Sequence, residues 1–107
     1  MITIEDFKKL DIRIATIISV ENHPNADKLY ILKISLGKEQ RQIVAGLRKD
    51  YSPEQLLNKQ IIVVTNLEPA KLRGIESNGM LLAASDDRNN LVILTTEKKI
   101  ENNSKVG

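Results

Sequence analysis

Apolar and polar residues alternate along much of this chain with the two-residue period of a strand. The clearest case is Lys28 to Leu36, where Tyr30, Leu32, Ile34 and Leu36 share one side and Gly37 closes the run; such alternation predicts a half-buried strand. Ile12 to Val20 begins in one phase, at Ile12 and Ile14, then shifts to Ile17, Ile18 and Val20, which predicts a long strand interrupted by a bulge or bend. Arg41 to Ala45 and Ile61 to Thr65 give a third and a fourth strand. Gly79 to Ala84 gives a fifth, Leu91 to Leu94 another, and Lys105-Val106 a last short one.

Two short segments carry helix signals instead. Thr3 precedes Ile4-Glu5-Asp6 as an N-cap with acids in the first turn, and Phe7 and Leu10 fall on one face, so a helix is expected over Ile4 to Lys9. Ser52-Pro53-Glu54-Gln55 places a cap, a proline at the first helical position and a glutamine three residues after the cap, predicting a helix to Leu57. His23 to Asp27 and Asp86 to Asn90 have turn chemistry.

Many short strands with one helix between the third and fourth is the order of an OB-fold. The expectation is all-β: a five-stranded Greek-key barrel, with the N-terminal helix and C-terminal strands as additions. A generic small β-barrel is the structural alternative. At 107 residues the chain makes one domain, 1–107, with a modest core. No apolar run approaches the ~18 residues of a membrane span. MITIEDFKKL has no hydrophobic signal core. The absence of cysteine removes disulfides and thiolate metal ligands. These features suit a cytoplasmic location without a membrane.

Charge refines the picture through its distribution, because the net is only +2. Residues 28 to 73 hold nine Lys and Arg against four acids, whereas both flanks are slightly acidic. A basic central block suggests one face of positive potential toward a polyanion; scattered solvated lysines would give the same count.

Enzymatic constellations are missing. His23 is the single histidine and precedes a proline in a turn, so a zinc site is not expected. There is no nucleophile elbow and no Walker-type or GxGxxG loop. Asp86-Asp87 is explained by turn formation. Neither catalysis nor a cofactor is expected.

The stretch Asn66 to Ala84 lies between two apolar runs and carries Lys71, Arg73, Ser77 and Asn78, punctuated by Pro69, Gly74 and Gly79. It reads as a surface loop where binding groups sit, or as a solvated loop that binds nothing. In an extended segment Lys71 and Arg73 would point to the same side. Aromatic residues are confined to Phe7, Tyr30 and Tyr51, which supplies poorly the stacking platforms of single-strand binders. A folded RNA asks instead for basic and hydrogen-bonding groups plus a few apolar contacts. Lys28, Asn66, Lys71, Arg73, Ser77 and Met80 form that set. The bland alternatives are a solvated Lys28, a turn-capping Asn66 and a core-filling Met80.

Asn66-Leu67-Glu68-Pro69-Ala70-Lys71-Leu72-Arg73-Gly74-Ile75-Glu76-Ser77-Asn78-Gly79-Met80 resembles the motif of the tRNA-binding domain family. That OB-fold module occurs free-standing, at the C-terminus of methionyl-tRNA synthetases and in cytokine-like cofactors of the eukaryotic synthetase complex. His23-Pro24-Asn25-Ala26-Asp27-Lys28-Leu29 and Ile43-Val44-Ala45-Gly46-Leu47 resemble two further family elements, and the likeness runs from about Thr3 to Val106. The resemblance implies binding of tRNA by shape at the outer corner of the L, and a homodimer paired outside the barrel. It further implies a free-standing protein or a separate (beta) subunit partnering a methionyl-tRNA synthetase catalytic subunit. The chain departs from the family pattern near Asn102-Asn103 and at Gly107. A related branch of secretion chaperones shares the fold and dimer but lacks the His-Pro-Asn-Ala-Asp-Lys element, which favours tRNA over a protein-interaction role here. Apolar residues beyond the needs of five barrel strands mark Ile4, Phe7, Leu91 and Ile93 as the expected dimer interface.

Overall fold

The computed structural model describes residues 1–107. Its elements, in order, are α1 (Ile4–Phe7), β1 (Ile12–Asn22), β2 (Tyr30–Ser35), β3 (Gln40–Ala45), α2 (Pro53–Leu56), β4 (Gln60–Val64), β5 (Ala70–Leu72), β6 (Ile75–Ser77), β7 (Met80–Leu81), β8 (Ala83–Ser85) and β9 (Leu91–Ile93). The expected helix between the third and fourth strands is α2. Its Ser52 cap donates its backbone N–H to Gln55 Oε1 at 2.8 Å. At α1 the capping box is complete, with Thr3 and Asp6 each bonding the other's backbone N–H.

An antiparallel five-stranded sheet in the order β3-β2-β1-β4-β7 curls into the barrel. β1 serves two partners: Ile12 to Thr16 pair with β4, and Thr16 to Asn22 pair with β2. The predicted phase shift is a bulge at Ile18, since Ile17 opposes Ile34 and Ser19 already opposes Lys33. An extra residue bends a strand and increases its twist, which lets β1 pass from one partner to the other.

The inward residues form one cluster around Ile17, Leu32, Ile34, Ile43, Ile61 and Val63, closed below by Leu47 and Leu56. Tyr30 is buried, and its hydroxyl donates to the Tyr51 carbonyl at 2.7 Å. The Tyr51 hydroxyl accepts from Ile93 N–H at 3.0 Å, pinning β9 to the barrel. Both tyrosines are therefore structural.

Three expectations are corrected. The Asn66-to-Asn78 surface loop is folded into a hairpin, β5–β6, with Leu72 paired to Ile75. The single fifth strand is split: Met80–Leu81 pairs with β4, and Ala83–Ser85 leaves to pair with β9. The switch falls at Leu82, whose N–H still reaches the Ile62 carbonyl while its own carbonyl accepts from Leu94. The tail strand expected at Lys105-Val106 is a single bridge from Arg13 to Lys105, flanked by Ile14 N–H to Ser104 and Val106 N–H to Ile12.

Gln60 organises the C-terminal segment. Its side chain donates to the Ile100 carbonyl (2.6 Å) and to Asn102 Oδ1 (3.2 Å), and accepts from Ile100 N–H (3.1 Å) and the Thr96 hydroxyl (3.2 Å). Its carbonyl accepts from the Thr95 hydroxyl at 2.7 Å. No helix is long and apolar enough to cross a membrane.

Gly79 permits the close approach of β7 to the core. Its φ is +135°, and an added Cβ would lie 3.2 Å from Val63 Cγ1 and 3.4 Å from Ile43 Cγ2. Gly79→Ala is therefore expected to destabilise the fold by ~1–3 kcal/mol, from overpacking and an unsuited backbone conformation. Urea unfolding measures this; an unchanged midpoint would show that the contact relaxes freely.

Candidate nucleic-acid interface

The β1–β2 connection and the β5–β6 hairpin meet at one end of the barrel. The hairpin is held there by β6 lying along β3. Ser77 Oγ accepts from Val44 N–H at 2.9 Å and donates to the Gly79 carbonyl at 3.1 Å. Asn78 N–H donates to the Gln42 carbonyl at 2.8 Å, and Gln42 Nε2 donates to the Glu76 carbonyl at 3.0 Å. These bonds cover the Val44 N–H and the Gln42 carbonyl on the free edge of β3 and hold β6 across the opening of the curled sheet.

Arg73 and Gly74 form the two-residue tip of the hairpin, with φ of 53° and 88°. Positive φ at both central positions is the type I′ geometry that matches strand twist, usually built from Asn-Gly. An arginine there costs ~1 kcal/mol of backbone strain. From this position Nη2 of Arg73 donates to the Asn25 carbonyl at 3.1 Å. Its guanidinium makes no other hydrogen bond and no ion pair.

His23 joins loop and hairpin from beneath. It is only 2% exposed. Its Nδ1 lies 2.9 Å from the backbone N–H of Asn25, and its Nε2 lies 2.9 Å from the carbonyl of Leu72. A backbone N–H can only donate and a carbonyl can only accept, so Nδ1 carries no proton and Nε2 carries one. The ring is therefore a neutral imidazole in a fixed tautomer, linking residue 25 to the residue before Arg73.

Above this link lies a shallow depression of about 420 Å³, lined by Asn25 to Leu29 and Arg73. Lys28 and Arg73 thus share one concavity. Neither they nor Lys71 takes part in an ion pair. Lys71 is exposed on β5, directly across from Glu76. By strand alternation its face is the one opposite Leu72, Ile75 and Ser77. The expectation that Lys71 and Arg73 share a side is thereby corrected: alternation ends at the left-handed turn, and Arg73 folds back toward Asn25. Met80 is 51% exposed, so it is a surface apolar group and not core filler.

Two of the nominated residues are committed inside the chain. Ser77 is buried with its hydroxyl used in both directions. Asn66 accepts from Asp11 N–H at 2.8 Å and donates to the Lys9 carbonyl at 2.7 Å, tying α1 to the barrel. Short polar residues in a loop advertise ligand contact and local bonding equally well, and here the local bonds win. Conversely, the sequence reading leaves His23 and Asn25 out of the site; the link between them is a side chain-to-backbone bond across two residues.

The carboxylates whose pKa is pulled down lie in other roles. Asp6 is lowered by the Thr3 backbone bond, Asp11 by the Arg13 hydrogen bond and Asp86 by the Asn90 bonds.

A family model described as "Putative tRNA binding domain" matches residues 12–105. The chain belongs to the tRNA-binding domain family. It is 61% identical over 102 residues to a methionine–tRNA ligase of Pyrococcus horikoshii, a match covering 95% of this chain and 14% of that protein. The chain thus spans about one-seventh of the length of such relatives. Among solved structures it superposes on a MetRS-related protein from Pyrococcus horikoshii with a TM-score of 0.94 at 28% identity, covering 100% of this chain and 98% of that one. The chaperone CsaA of Bacillus anthracis matches with a TM-score of 0.90 at 30% identity, covering 100% and 99%. Fold alone therefore does not separate the two kinds of relative.

The imidazole link can be cut at either end. His23→Gln retains an N–H for the Leu72 carbonyl and loses the acceptor for Asn25, whereas His23→Asn does the reverse. Each deletes one part-buried hydrogen bond of the ring, so each is expected to lose ~0.5–1.5 kcal/mol of stability. Amide exchange distinguishes them: Asn25 N–H should exchange quickly in the glutamine variant and stay protected in the asparagine variant. Equal protection in both would contradict the assigned tautomer.

Proposed function

We propose that this chain binds folded tRNA by shape, through the depression shared by Lys28 and Arg73, with the exposed Lys71 and Met80 as further contacts. Asn66 and Ser77 belong to this site as the residues that hold the hairpin and its entry in place. The observation that carries the reading is the juxtaposition of two unpaired cations on the loop end of an OB barrel, where this fold presents its oligonucleotide loops. Tyr30 is buried and the Tyr51 hydroxyl is engaged, so no tyrosine offers a free stacking platform on this face. That favours recognition of phosphates and 2′-hydroxyls over stacking of single-stranded bases.

The proposed context is methionyl-tRNA synthetase. The chain acts either as a module or beta subunit delivering tRNA to the catalytic part, or in trans, in the cytoplasm. It makes no chemical step of its own. The second reading is a protein-interaction module of the chaperone kind, favoured by the likeness to CsaA over the full chain.

We also propose a homodimer built from the additions to the barrel. Ile4 is 63% exposed and Phe7 is half-buried, on a helix with no buried residue. Leu91 and Ile93, expected at the interface, instead pack against the barrel core. Their alternates Val92 and Leu94 face outward, Val92 being 54% exposed. The interface is therefore re-aimed to Ile4, Phe7, Val92 and Leu94.

Lys71→Glu and Arg73→Glu are each expected to weaken tRNA binding without unfolding the domain. Each should also flatten the salt dependence by ~0.7–0.9 log units per log salt for one lost phosphate contact. A filter-binding series measures both, and wild-type affinity with unchanged slope would remove the hairpin from the site. Intact tRNAs of different identity should compete about equally, and poly-pyrimidine RNA poorly. Strong competition by an acidic polypeptide would favour the chaperone reading.

For the dimer, light scattering at low micromolar concentration should give about twice the 12.0 kDa chain mass. Val92→Glu should then return it to the monomer value. A wild-type monomer mass would rule the dimer out.

A further inference from the structure

The far end of the β1–β2 pair carries a second basic concavity. A groove of about 710 Å³ is lined by Lys59, Lys98 and Lys99, with hydroxyls from Thr16, Ser35 and Thr95. Glu97 is the one carboxylate on its wall, and Ile18 the one hydrophobic residue. None of the three lysines makes an ion pair. The wall is built, not incidental: Gln60 holds Thr95 through Ile100 by the bonds described above, and the Thr16 hydroxyl donates to Asn102 Oδ1 at 2.8 Å.

β2 connects this groove to the loop end. Ser35 lines the groove, Lys33 is exposed on the same side by strand alternation, and the strand then leads to Lys28. Ser19 and Gln42 flank Lys33 on the neighbouring strands; Glu21, opposite Ile31, is the acid on this path. From Thr16 to Asn22 the path is ~20 Å long at ~3.3 Å per residue.

Resting on the tRNA-binding reading, we propose that the Lys59–Lys98–Lys99 groove is a second phosphate-binding site. It engages the sugar-phosphate backbone of the same folded RNA about 20 Å from the loop-end contact. The wall chemistry selects phosphate. A protein-docking surface needs an apolar core, and this groove has only Ile18. Ammonium groups suit phosphate oxygens, and the Ser35 hydroxyl, which accepts from Gly37 N–H, keeps its one proton to donate, whereas those of Thr16 and Thr95 are spent within the wall; the absence of an aromatic residue from the wall leaves no platform for a base.

The test compares K98E/K99E with Arg73→Glu, K98Q/K99Q serving as a milder pair and Lys59→Glu as an independent one. Affinity for intact tRNA is measured against salt, and mass and melting midpoint are recorded for each variant. K98E/K99E should weaken tRNA binding on the order of tenfold and flatten the log–log salt slope by ~1.4–1.8 for two contacts. Mass and midpoint should be unchanged. An RNA hairpin of about four base pairs has an A-form stem shorter than the ~20 Å between the two sites, so one strand of it cannot run from one to the other. If it engages the loop end, its binding should respond to Arg73→Glu and ignore K98E/K99E.

Unchanged tRNA affinity in the groove variants, with Arg73→Glu impaired, overturns the groove and leaves the tRNA reading standing. Loss of affinity together with a change of mass overturns it too, because the lysines would then act through assembly. Equal weakening of the short hairpin overturns the remote-anchor geometry. Competition by polyglutamate as strong as by tRNA makes the ligand an acidic chain. A wild-type protein that binds no tRNA removes both readings.

Discussion

The closure of the barrel along β3 is the constraint on which the rest depends. An unpaired strand edge exposes backbone donors and acceptors that invite another chain. Here the edge is satisfied by a side chain and a short hairpin: Ser77 takes the Val44 N–H, and Asn78 and Glu76 bond the backbone and side chain of Gln42. Because β6 is fastened there, the hairpin tip has one place to go, over the β1–β2 loop. The position of Arg73 beside Asn25 follows from that fastening, and so does the depression it shares with Lys28.

His23 completes the same logic from below. A buried polar ring is tolerable only when both nitrogens are used, and the two groups that use them come from two different segments. The ring therefore fixes the distance between loop and hairpin at the place where neither has a hydrophobic core of its own. Rigid elements carrying a polar site in this way hold it better than free loops do.

Much of the barrel was legible because period-two patterning and cap chemistry act locally. The bulge at Ile18, the box at Thr3 and Asp6, and the helix after Ser52 all announce themselves in adjacent residues. The β5–β6 hairpin did not, because Arg73-Gly74 is an uncommon way to write a type I′ turn, so the segment looked like an open loop. The strand change at Leu82 was hidden for another reason: Met80 to Ala84 is uniformly apolar, and an unbroken run says nothing about which partner each residue pairs with. At the site, the cations were visible as charges. Whether Ser77 and Asn66 pointed outward or into the chain depended on partners more than thirty residues away, Val44 and Asp11, which no local pattern encodes. Likewise, the alternation within Leu91 to Leu94 was plain, but its phase was set by the Tyr51 hydroxyl.

The strained turn at Arg73 also bears on engineering. Local conformational preference would place asparagine at that tip, and a procedure that ranks substitutions by fold stability would choose it. Stabilising choices of this kind commonly erase function where a position is held against its own preference. Here the exchange would relax the backbone while deleting a guanidinium whose one bond to the chain is to the Asn25 carbonyl. Thermostability screens on this domain would therefore reward the loss of its proposed contact, and selection for binding has to accompany them.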